Sequence, residues 1–443
     1  MRKINKILGF ELTKDQLEAI HLIGNFIDDK DKDVFILKGS AGTGKTSIVK
    51  AVLHQLQEKK INFQTLAPTG RASNIISEKT DSISKTVHSA IYYPITEEDG
   101  SIRLTIKRNN NKNFTVFIVD ESSMISDKEN NDNSFKADKS LLFDLIKYVK
   151  EGNEKNKIIF VGDKFQLPPV KQDFSPALCA NYLNKVYNMN CYDFELTTVM
   201  RQSEGSNVLD LATSVRNSII NNKVNITNFN IETSKGSSSI IKPYLENYCS
   251  DNQSNIIMIC STNKDVNIWN NIFRQRLGYG NEILVKGDSI VTQSTLIDKK
   301  GNFQHKGSFG KIESFCSKVR EYAGLYFIDC EIKFNVNGEE KKIVKKVLVN
   351  SLLSNSGKLT FEEEKRLFAE AMKHNHVFRK TRNSVDDEFV GALRIRHSYA
   401  ITCHKAQGGE WDSVIIHPRR LAKDLQWTYT ALTRARNEVK TYS

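Results

Sequence analysis

Eight consecutive residues early in the chain have the types and spacing needed to hold phosphate groups. They read Gly39-Ser40-Ala41-Gly42-Thr43-Gly44-Lys45-Thr46, which is the complete G-x-x-x-x-G-K-[ST] pattern of a phosphate-binding loop. The apolar run 34–37 before the loop predicts a buried strand, and apolar residues at helical spacing over 47–56 predict a helix after it. A strand, this loop and a helix in that order are the context that the motif requires.

Each part of this loop has a distinct task in binding a nucleoside triphosphate. The glycines let backbone N–H groups converge on phosphate oxygens, and the helix N-terminus adds a positive partial charge. We expect Lys45 to reach the β- and γ-phosphates and the Thr46 hydroxyl to ligate Mg²⁺. Together with Ser47, the loop from Gly39 onward is the predicted nucleotide-binding segment, with ATP and Mg²⁺ as the expected cofactors.

An acidic pair follows another apolar run. Thr115-Val116-Phe117-Ile118-Val119 predicts a buried strand that ends in Asp120-Glu121. We expect Asp120 to hold Mg²⁺ through water, and Glu121 to orient and deprotonate the attacking water. Acidic pairs are common on surfaces, but rarely follow five apolar residues.

Two further predicted strands end in polar residues. The run 157–161 leads into Gly162-Asp163-Lys164-Phe165-Gln166-Leu167-Pro168-Pro169, in which Gln166 could sense the γ-phosphate. The run 63–67 leads into Pro68-Thr69-Gly70-Arg71, whose small residues and arginine suit contact with a phosphodiester backbone. An ordinary strand–helix turn remains the alternative for this second loop. Polar clusters at the carboxyl ends of successive strands predict a doubly wound α/β domain.

The excursion 92–114 interrupts this pattern. Two strand-like runs flank a polar turn that contains Asp99-Gly100, and Asp-Gly between such runs is typical of a β-hairpin. A hairpin too small for its own core is expected to be a working part of the ATPase; a disordered surface insertion is the alternative. The segment 127–138 is polar and is expected to be a mobile loop.

A second α/β domain is predicted to begin near residue 200. Its pattern stops between about 283 and 395, where strand-like runs at 283–285, 288–291, 325–328 and 344–349 with Gly-rich turns predict a small β-barrel or meander. A helix is predicted over 360–380, with acidic residues in its first turn. The α/β pattern resumes at Ser398 and ends in a predicted helix in which Tyr429, Leu432 and Ala435 share an apolar face and Arg434 lies off it.

Composition limits the classes of protein that fit. A chain of 443 residues suggests about two to four domains. The net charge of +12 is consistent with a polyanionic partner, although a Lys-, Asn- and Ile-rich composition would produce it too. The seven cysteines include no C-x-x-C pair, which argues against a zinc site or a disulfide framework. No apolar run approaches a membrane span, and the N-terminal residues lack the apolar core of a signal peptide, so we expect a cytoplasmic protein with no membrane partner. The segment 374–376 resembles a nuclease motif in letters only and is interpreted as surface.

With these motifs in order, the chain resembles a superfamily 1 DNA helicase of the Dda/RecD-like 5′→3′ group, also called superfamily 1B. The resemblance extends from end to end. Besides the phosphate loop and the acidic pair, it rests on the segments 67–72, 86–88, 162–170 and 402–408. The phosphate loop alone indicates only an NTPase, whereas the ordered set is highly specific.

The resemblance implies a fold and a set of roles. It implies two RecA-like P-loop domains, 1–198 and 199–282 with 396–443, a strand-separating hairpin at 92–114 in the first, and an SH3-like β-rich insertion at 283–395 in the second. Gln16 would bind adenine, Gln166 would couple the sites, and Arg201 and Arg434 would be arginine fingers. The residues that would contact DNA are Pro68, Thr69, Arg71, His88, Thr402, His404 and Lys405.

The function implied is an ATP-dependent helicase that moves 5′→3′ on single-stranded DNA and separates duplex strands. The alternative is a DNA-stimulated translocase that displaces proteins without efficient unwinding. A signalling or assembly ATPase leaves the segment 402–408 without a purpose, and a nuclease subunit lacks a carboxylate cluster. The expected partners are single-stranded and forked DNA, with single-strand-binding or replication proteins as candidates, and the expected active form is a monomer.

Overall fold

The computed structural model describes residues 8–97, 102–129, 131–132, 135–200, 207–221, 231–249, 256–294, 296–297, 303–304, 306–336, 339–354 and 357–443. The Asp99-Gly100 turn and Arg201 lie outside these residues. The α-helices within them are α1 (Lys14–Asp28), α2 (Lys45–Glu58), α3 (Gly70–Thr80), α4 (Val87–Ile91), α5 (Leu141–Gly152), α6 (Ala180–Tyr187), α7 (Val208–Ile220), α8 (Ile241–Cys249), α9 (Asn263–Arg276), α10 (Asn350–Leu353), α11 (Phe361–His374), α12 (His376–Thr381), α13 (Cys403–Ala406) and α14 (Leu425–Leu432). None of them is both long and apolar enough to cross a bilayer.

Within the same residues the strands, numbered along the chain, form five sheets. They are β1 (Val34–Gly39), β2 (Asn62–Ala67), β3 (Ser84–Thr86), β4 (Tyr92–Thr96), β5 (Ile102–Ile106), β6 (Thr115–Val119), β7 (Asn131–Asp132), β8 (Phe135–Ala137), β9 (Lys157–Gly162), β10 (Cys191–Leu196), β11 (Glu232–Ser234), β12 (Ile256–Cys260), β13 (Ser289–Thr292), β14 (Leu296–Ile297), β15 (Phe303–Gln304), β16 (Phe309–Phe315), β17 (Arg320–Tyr322), β18 (Leu325–Val336), β19 (Glu339–Leu348), β20 (Leu393–His397), β21 (Ala400–Thr402), β22 (Trp411–Ile416) and β23 (Ala435–Tyr442).

The first sheet is parallel, with the strand order β10-β1-β9-β6-β2-β3. Its central strands are continuous apolar runs because helices cover both faces, and β6 is buried at every position. One apolar cluster joins the sheet to α5, and another joins it to α1 and α2. Since all six strands run in one direction, the loops after β1, β2, β6 and β9 meet at one edge, as the sequence predicts.

The second sheet is also parallel, in the order β11-β23-β22-β12-β21. The prediction for the last helix is wrong at its end, because α14 stops at Leu432 and Ala435 begins β23. Ala435 pairs with Trp411 of β22, and the Arg434 carbonyl accepts from the Trp411 N–H at 2.9 Å. Pairing with the sheet therefore overrides the helical spacing of the apolar residues.

The segment between these parts of the second sheet forms a barrel. β16 pairs with both β13 and β18, so that β13, β16, β18, β19 and β20 close into a ring. The predicted strand at 283–285 is wrong, since these residues lead into a turn at Gly287, whose φ is +93°. The predicted helix near 360–380 is confirmed as α11, which begins with a capping box between Thr360 and Glu363.

The excursion after α4 contains an antiparallel pair of strands, β4 and β5. The segment expected to be a mobile polar loop contains β7 and β8, and β8 adds to the edge of β5 in parallel. The free edge of β5 explains the difference, because an unpaired strand edge accepts another strand. Arg103 of β5 supports the pairing through hydrogen bonds to both carboxylate oxygens of Asp138, at 3.0 and 2.9 Å.

Candidate functional site

The phosphate loop connects β1 to the N-terminus of α2, and its glycines are required by its shape. Gly42 and Gly44 have φ of +79° and +80°, which side chains disfavour. A Cβ atom on Gly39 would lie 2.5 Å from the Thr43 Oγ1, and one on Gly44 would lie 2.4 Å from the Gln16 Nε2. The shape of the loop therefore needs glycine at the two positions that the motif specifies, Gly39 and Gly44, and favours it at Gly42 as well.

Lys45 lies over this loop. Its Nζ donates to the carbonyl oxygens of Gly39 and Ser40, at 2.8 and 3.0 Å. The Thr43 hydroxyl donates to the same Ser40 oxygen at 2.8 Å, which closes the loop on itself. The ammonium is thus held where the loop and the first turn of α2 meet, the position from which a loop lysine reaches β- and γ-phosphates.

The acidic pair follows β6 at the same edge of the sheet. Burial raises the pKa of Asp120, against the hydrogen bond from the Glu121 N–H and the charge of Lys45. Burial also raises the pKa of Glu121, with Arg434 acting against this and Asp120 adding to it. A carboxylate with a raised pKa is a better proton acceptor, so Glu121 has the character of a general base.

The donor set at this edge fits Mg²⁺. The residues expected to bind it are the Thr46 hydroxyl and the Asp120 carboxylate, one oxygen of which accepts from the Glu121 N–H at 2.9 Å. Within the described ranges no group of three or more His, Cys, Asp or Glu side chains could hold a metal. Mg²⁺ commonly takes one or two protein ligands and completes its shell with phosphates and water.

Arg434 reaches the edge from the second sheet. It is buried, and its Nε, Nη1 and Nη2 donate to the Thr430 carbonyl, the Gly409 carbonyl and the Thr433 hydroxyl at 3.1, 3.2 and 3.1 Å. Its charge still acts on Glu121, whose pKa it lowers against burial. The structure therefore places Arg434 within electrostatic reach of Glu121, whereas Arg201, the other arginine predicted on that side of the ATP cleft, lies outside the described residues.

Sequence reasoning missed two side chains of this cleft. The hydroxyl of the buried Tyr429 accepts from the Ala41 N–H at 2.9 Å and donates to Asp163 at 2.8 Å. Arg216 of α7 donates to the Ser40 hydroxyl at 2.7 Å. Tyr429 could have been found from the sequence, because it places a hydroxyl on the apolar face of the predicted helix close to Arg434. Nothing in the sequence distinguishes Arg216 from other helix arginines.

The loop after β9 connects the two sheets. Its Leu167 donates through N–H to the Thr430 hydroxyl and accepts at its carbonyl from the Gln407 amide, at 2.8 and 2.9 Å. Gln166 is buried, and its Oε1 has no hydrogen-bond partner in the parts of the chain that the structure describes. That oxygen can accept a hydrogen bond from water in the cleft.

Gln16 lies beside the phosphate loop, as predicted, but its amide is engaged within the protein. Its Nε2 donates to the Thr43 carbonyl at 3.0 Å, and its Oε1 accepts from the Thr13 N–H of the capping box at 3.0 Å. Gln16 thus ties the start of α1 to the loop. Binding of adenine by this amide stays a prediction, as does the role of Arg201.

Most residues predicted to contact nucleic acid follow β2, β3 and β21. Pro68 and Thr69 are half-buried between β2 and α3, and the Thr69 hydroxyl caps α3 by accepting from the Ala72 N–H at 3.2 Å. Thr402 precedes the short helix α13, which carries the half-buried His404 and the exposed Lys405. Arg71 instead packs against residues that follow α13.

A basic cluster surrounds two of these residues. We define it as His88, Lys306, Lys358, Arg396 and Lys405. Desolvation and the charges of the three cations that face Lys405 lower its pKa to about 7. Desolvation and the charge of Lys306 lower the pKa of His88 to about 4. The cluster draws on the first α/β unit, the second and the barrel segment, and such a concentration of positive charge attracts a polyanion.

The class of protein follows from the two parallel sheets, the phosphate loop, the acidic pair and Arg434. It is a P-loop NTPase with two α/β units around one cleft. Residues 11–228 match a family model described as an AAA domain, and 397–440 match one described as a UvrD-like helicase C-terminal domain. The chain is 22% identical to the RecBCD enzyme subunit RecD of Buchnera aphidicola over 98% of its own length and 73% of the relative's. It is 30% identical to the ATP-dependent RecD2 DNA helicase of Deinococcus radiodurans, over 30% of this chain and 16% of that protein.

The fold also has a counterpart among solved structures. Pif1 helicase from Bacteroides, in complex with ADP-AlF3 and ssDNA, matches with a TM-score of 0.54 and 19% identity over 98% of this chain and 92% of its own. These matches are all consistent with a Pif1/RecD-like helicase of superfamily 1.

Proposed function

We propose that this protein is an ATP-dependent DNA helicase that translocates 5′→3′ on single-stranded DNA and separates duplex strands. The observation that carries the proposal is the approach of the second unit to the phosphate loop, where the Tyr429 hydroxyl accepts from the Ala41 N–H at 2.9 Å and Arg434 lies close enough to lower the pKa of Glu121. A cleft built from two units changes shape when ATP binds and leaves. Similarity to DNA helicases supplies the substrate class, DNA.

In this proposal the first unit spans 1–198, the second spans 199–282 and 396–443, and the β-rich insertion spans 283–395. Lys45 neutralises charge on the β- and γ-phosphates. Glu121 takes the proton of the attacking water, which Gln166 Oε1 helps to orient. Arg434 stabilises charge on the transferred phosphoryl group, a contribution typically worth about 10³–10⁵ in rate. Mg²⁺, held by Thr46 and Asp120, supplies further charge neutralisation when bound.

The DNA path runs along the basic cluster. Lys405 is exposed on the second unit, and although Lys306, Lys358 and Arg396 lie close enough to lower its pKa, a bound phosphate would favour its charged form. The neutral His88 offers a ring and a hydrogen-bonding edge on the first unit. His88 and Lys405 belong to different units. Closing and opening of the cleft therefore changes the distance between these two DNA contacts and moves the strand.

Strand separation on forked DNA tests the proposal. The unaltered protein should displace a labelled strand in the presence of ATP and Mg²⁺, and its ATP hydrolysis should rise strongly with single-stranded DNA. Lys45→Ala should abolish both activities, because it removes the charge that meets the phosphates. Equal ATP turnover with and without DNA would contradict the proposal.

The same experiment distinguishes the helicase from a second candidate function, a translocase that displaces proteins. The exposed side chains on β4 are compatible with either function. Tyr93 and Ile95 are 59% and 43% exposed, as a wedge or a protein contact would be. DNA-stimulated ATP hydrolysis without strand displacement, but with removal of a bound protein from DNA, would favour a translocase that displaces proteins.

A further inference from the structure

Arg71 lies where three parts of the fold meet. It belongs to the first turn of α3, next to the first sheet. Its guanidinium lies over the ring of Trp411, with 3.8 Å to the ring centre, and over Phe309 at 4.6 Å. Trp411 begins β22 of the second sheet, and Phe309 begins β16 of the barrel. One arginine therefore contacts both α/β units and the barrel segment.

The backbone around this contact is shaped to admit the arginine. Its Nη2 donates to the Glu410 carbonyl at 3.1 Å. A Cβ atom on Gly409 would lie 2.6 Å from the Arg71 Nε, and one on Gly408 would lie 2.8 Å from the Ala72 Cβ. Any larger residue at these two positions would push α3 away from the chain that follows α13.

The segment that Arg71 holds also holds Arg434. The Gly409 carbonyl accepts from the Arg434 Nη1 at 3.2 Å, and the Arg434 carbonyl accepts from the Trp411 N–H at 2.9 Å. Desolvation lowers the pKa of Arg71, and the positive charge of Arg434 lowers it further. Residues 409–411 thus lie between Arg71 on one side and the predicted arginine finger on the other. The predicted DNA-contacting segment 402–408 precedes them directly.

We propose that Arg71 is a positioning residue that transmits nucleic-acid occupancy to Arg434 through residues 409–411, and is not a ligand of the DNA backbone. The proposal rests on the proposed function, because it assigns a route between the DNA grip and the ATP cleft. A strand held by 402–408 shifts the following residues against the fixed guanidinium of Arg71. The shift moves the Gly409 carbonyl and so changes how Arg434 is held.

The salt dependence of DNA binding separates this role from a phosphate contact. Log affinity for single strands falls with log salt by about 0.7 for each phosphate neutralised. We expect Arg71→Ala to keep this slope and to bind labelled oligo-dT within about twofold of the unaltered protein. Lys405→Ala is the reference for a phosphate contact and should lower the slope by about 0.7. Arg276→Ala, which alters an exposed arginine at the end of α9, is the neutral control.

The ATPase assay measures the transmission itself. We expect Arg71→Ala to lose DNA stimulation by about 5- to 150-fold, the usual range of coupling between sites. Arg71→Lys should lose most of it too, because an ammonium lacks the planar face that stacks on Trp411. A slope lowered as in Lys405→Ala, with binding rescued by Arg71→Lys, would overturn the proposal and make Arg71 a DNA ligand.

Further measurements keep the proposal testable if a variant or the proposed function fails. If Arg71→Ala does not fold, Trp411→Phe keeps the arginine and shrinks its stacking surface. Full DNA stimulation in Trp411→Phe would then overturn the proposal. If the unaltered protein shows no DNA stimulation, the proposed function fails by itself. Hydrogen exchange of the Trp411 N–H then tests the positioning role of Arg71. Faster exchange in Arg71→Ala supports the proposal that Arg71 holds residues 409–411, and unchanged exchange overturns it.

Discussion

At Arg434 every guanidinium nitrogen already has an acceptor, in the Thr430 carbonyl, the Gly409 carbonyl and the Thr433 hydroxyl. These three bonds use three of the five N–H groups of the guanidinium, so Arg434 can donate to a γ-phosphate without giving all of them up. Such an arginine stabilises the transition state more than it strengthens ATP binding.

Replacing Arg434 therefore tests whether this residue stabilises the transition state of ATP hydrolysis in the cleft. Arg434→Ala should reduce kcat by about 10³–10⁵ and change KM for ATP only several-fold. The readout is steady-state ATP hydrolysis with saturating single-stranded DNA, with Arg276→Ala as the matched control. If kcat and KM both remain near those of the unaltered protein, Arg434 is structural and the two-unit cleft is wrong.

The pH dependence of the same variant gives an independent check. Glu121 must be ionised to act as a base, and Arg434 favours its ionised form. Removing the cation should raise the Glu121 pKa further, so that ATP hydrolysis by Arg434→Ala is lost at higher pH on acidification than in the unaltered protein. Equal acid limbs in the two pH–rate profiles would show that the two side chains do not interact.

Tyr429 supports a prediction about both stability and activity. Tyr429→Phe removes the hydroxyl that bridges the Ala41 N–H and Asp163. Leaving buried polar groups unpaired should lower the free energy of unfolding by about 1–3 kcal/mol and slow ATP turnover. Tyr182→Phe removes a comparable hydrogen bond, to Asp127 at 2.6 Å, away from the cleft. It should leave turnover unchanged; equal loss of turnover in both variants would refute a special role for Tyr429.

Among the elements, the paired strands β4 and β5 are not part of either large parallel sheet, so the fold of those sheets does not require them. This hairpin belongs to a small sheet of its own, β4-β5-β8-β7. The return to the core is anchored beyond β5, where Lys107 Nζ donates to the Ser89 carbonyl at 2.6 Å and Asn109 Nδ2 to the Tyr148 carbonyl at 3.1 Å.

Shortening this hairpin should separate unwinding from ATP hydrolysis. A tight turn in place of 94–105 keeps Lys107 and Asn109 and removes the exposed Ile95 side chain. We expect DNA-stimulated ATPase to survive and strand displacement on forked DNA to be suppressed. Both activities are measured on one preparation; their parallel loss would mean that the segment supports folding instead.

Sequence predicts elements well where the information is local. The phosphate loop and the acidic pair each occupy adjacent positions, and their strands β1 and β6 are apolar runs. The strands β7 and β8 were missed because their segment is polar, and because β8 forms by pairing with β5 and β7 by pairing with β8. The contact of Tyr429 with Ala41 joins positions 388 residues apart, so no local pattern announces it. The closing of the barrel through β16 and β18 is hidden for the same reason.

For the whole molecule, a buried ion pair lies at the junction between the second sheet and the barrel. Arg274 of α9 donates to both oxygens of Asp288 at 2.8 and 3.0 Å, and Asp288 is fully buried just before β13. Tyr399 adds a hydrogen bond to the same carboxylate at 2.9 Å. The pair fixes where the barrel leaves the second unit.

Breaking this ion pair should lower the free energy of unfolding. Arg274→Leu leaves the Asp288 charge buried without its main partner, which typically costs about 3–5 kcal/mol. Urea unfolding followed by tryptophan fluorescence measures the loss. The double variant Arg274→Leu with Asp288→Asn removes the stranded charge and should recover part of the stability; if it is no more stable than the single variant, the charge was not the cause.

The direction of movement is a property of the whole molecule that no single side chain determines. Both polarities use the same cleft and differ in which grip tightens when ATP binds, so the proposed 5′→3′ direction comes from family resemblance. The most direct measurement is strand displacement at low salt on two matched duplexes, one with a 5′ single-stranded tail and one with a 3′ tail. We predict that the 5′-tailed duplex is opened and the 3′-tailed duplex is left nearly intact, with Lys45→Ala inactive on both. Preferential opening of the 3′-tailed duplex would contradict the proposed polarity, and no opening of either would contradict the helicase function itself.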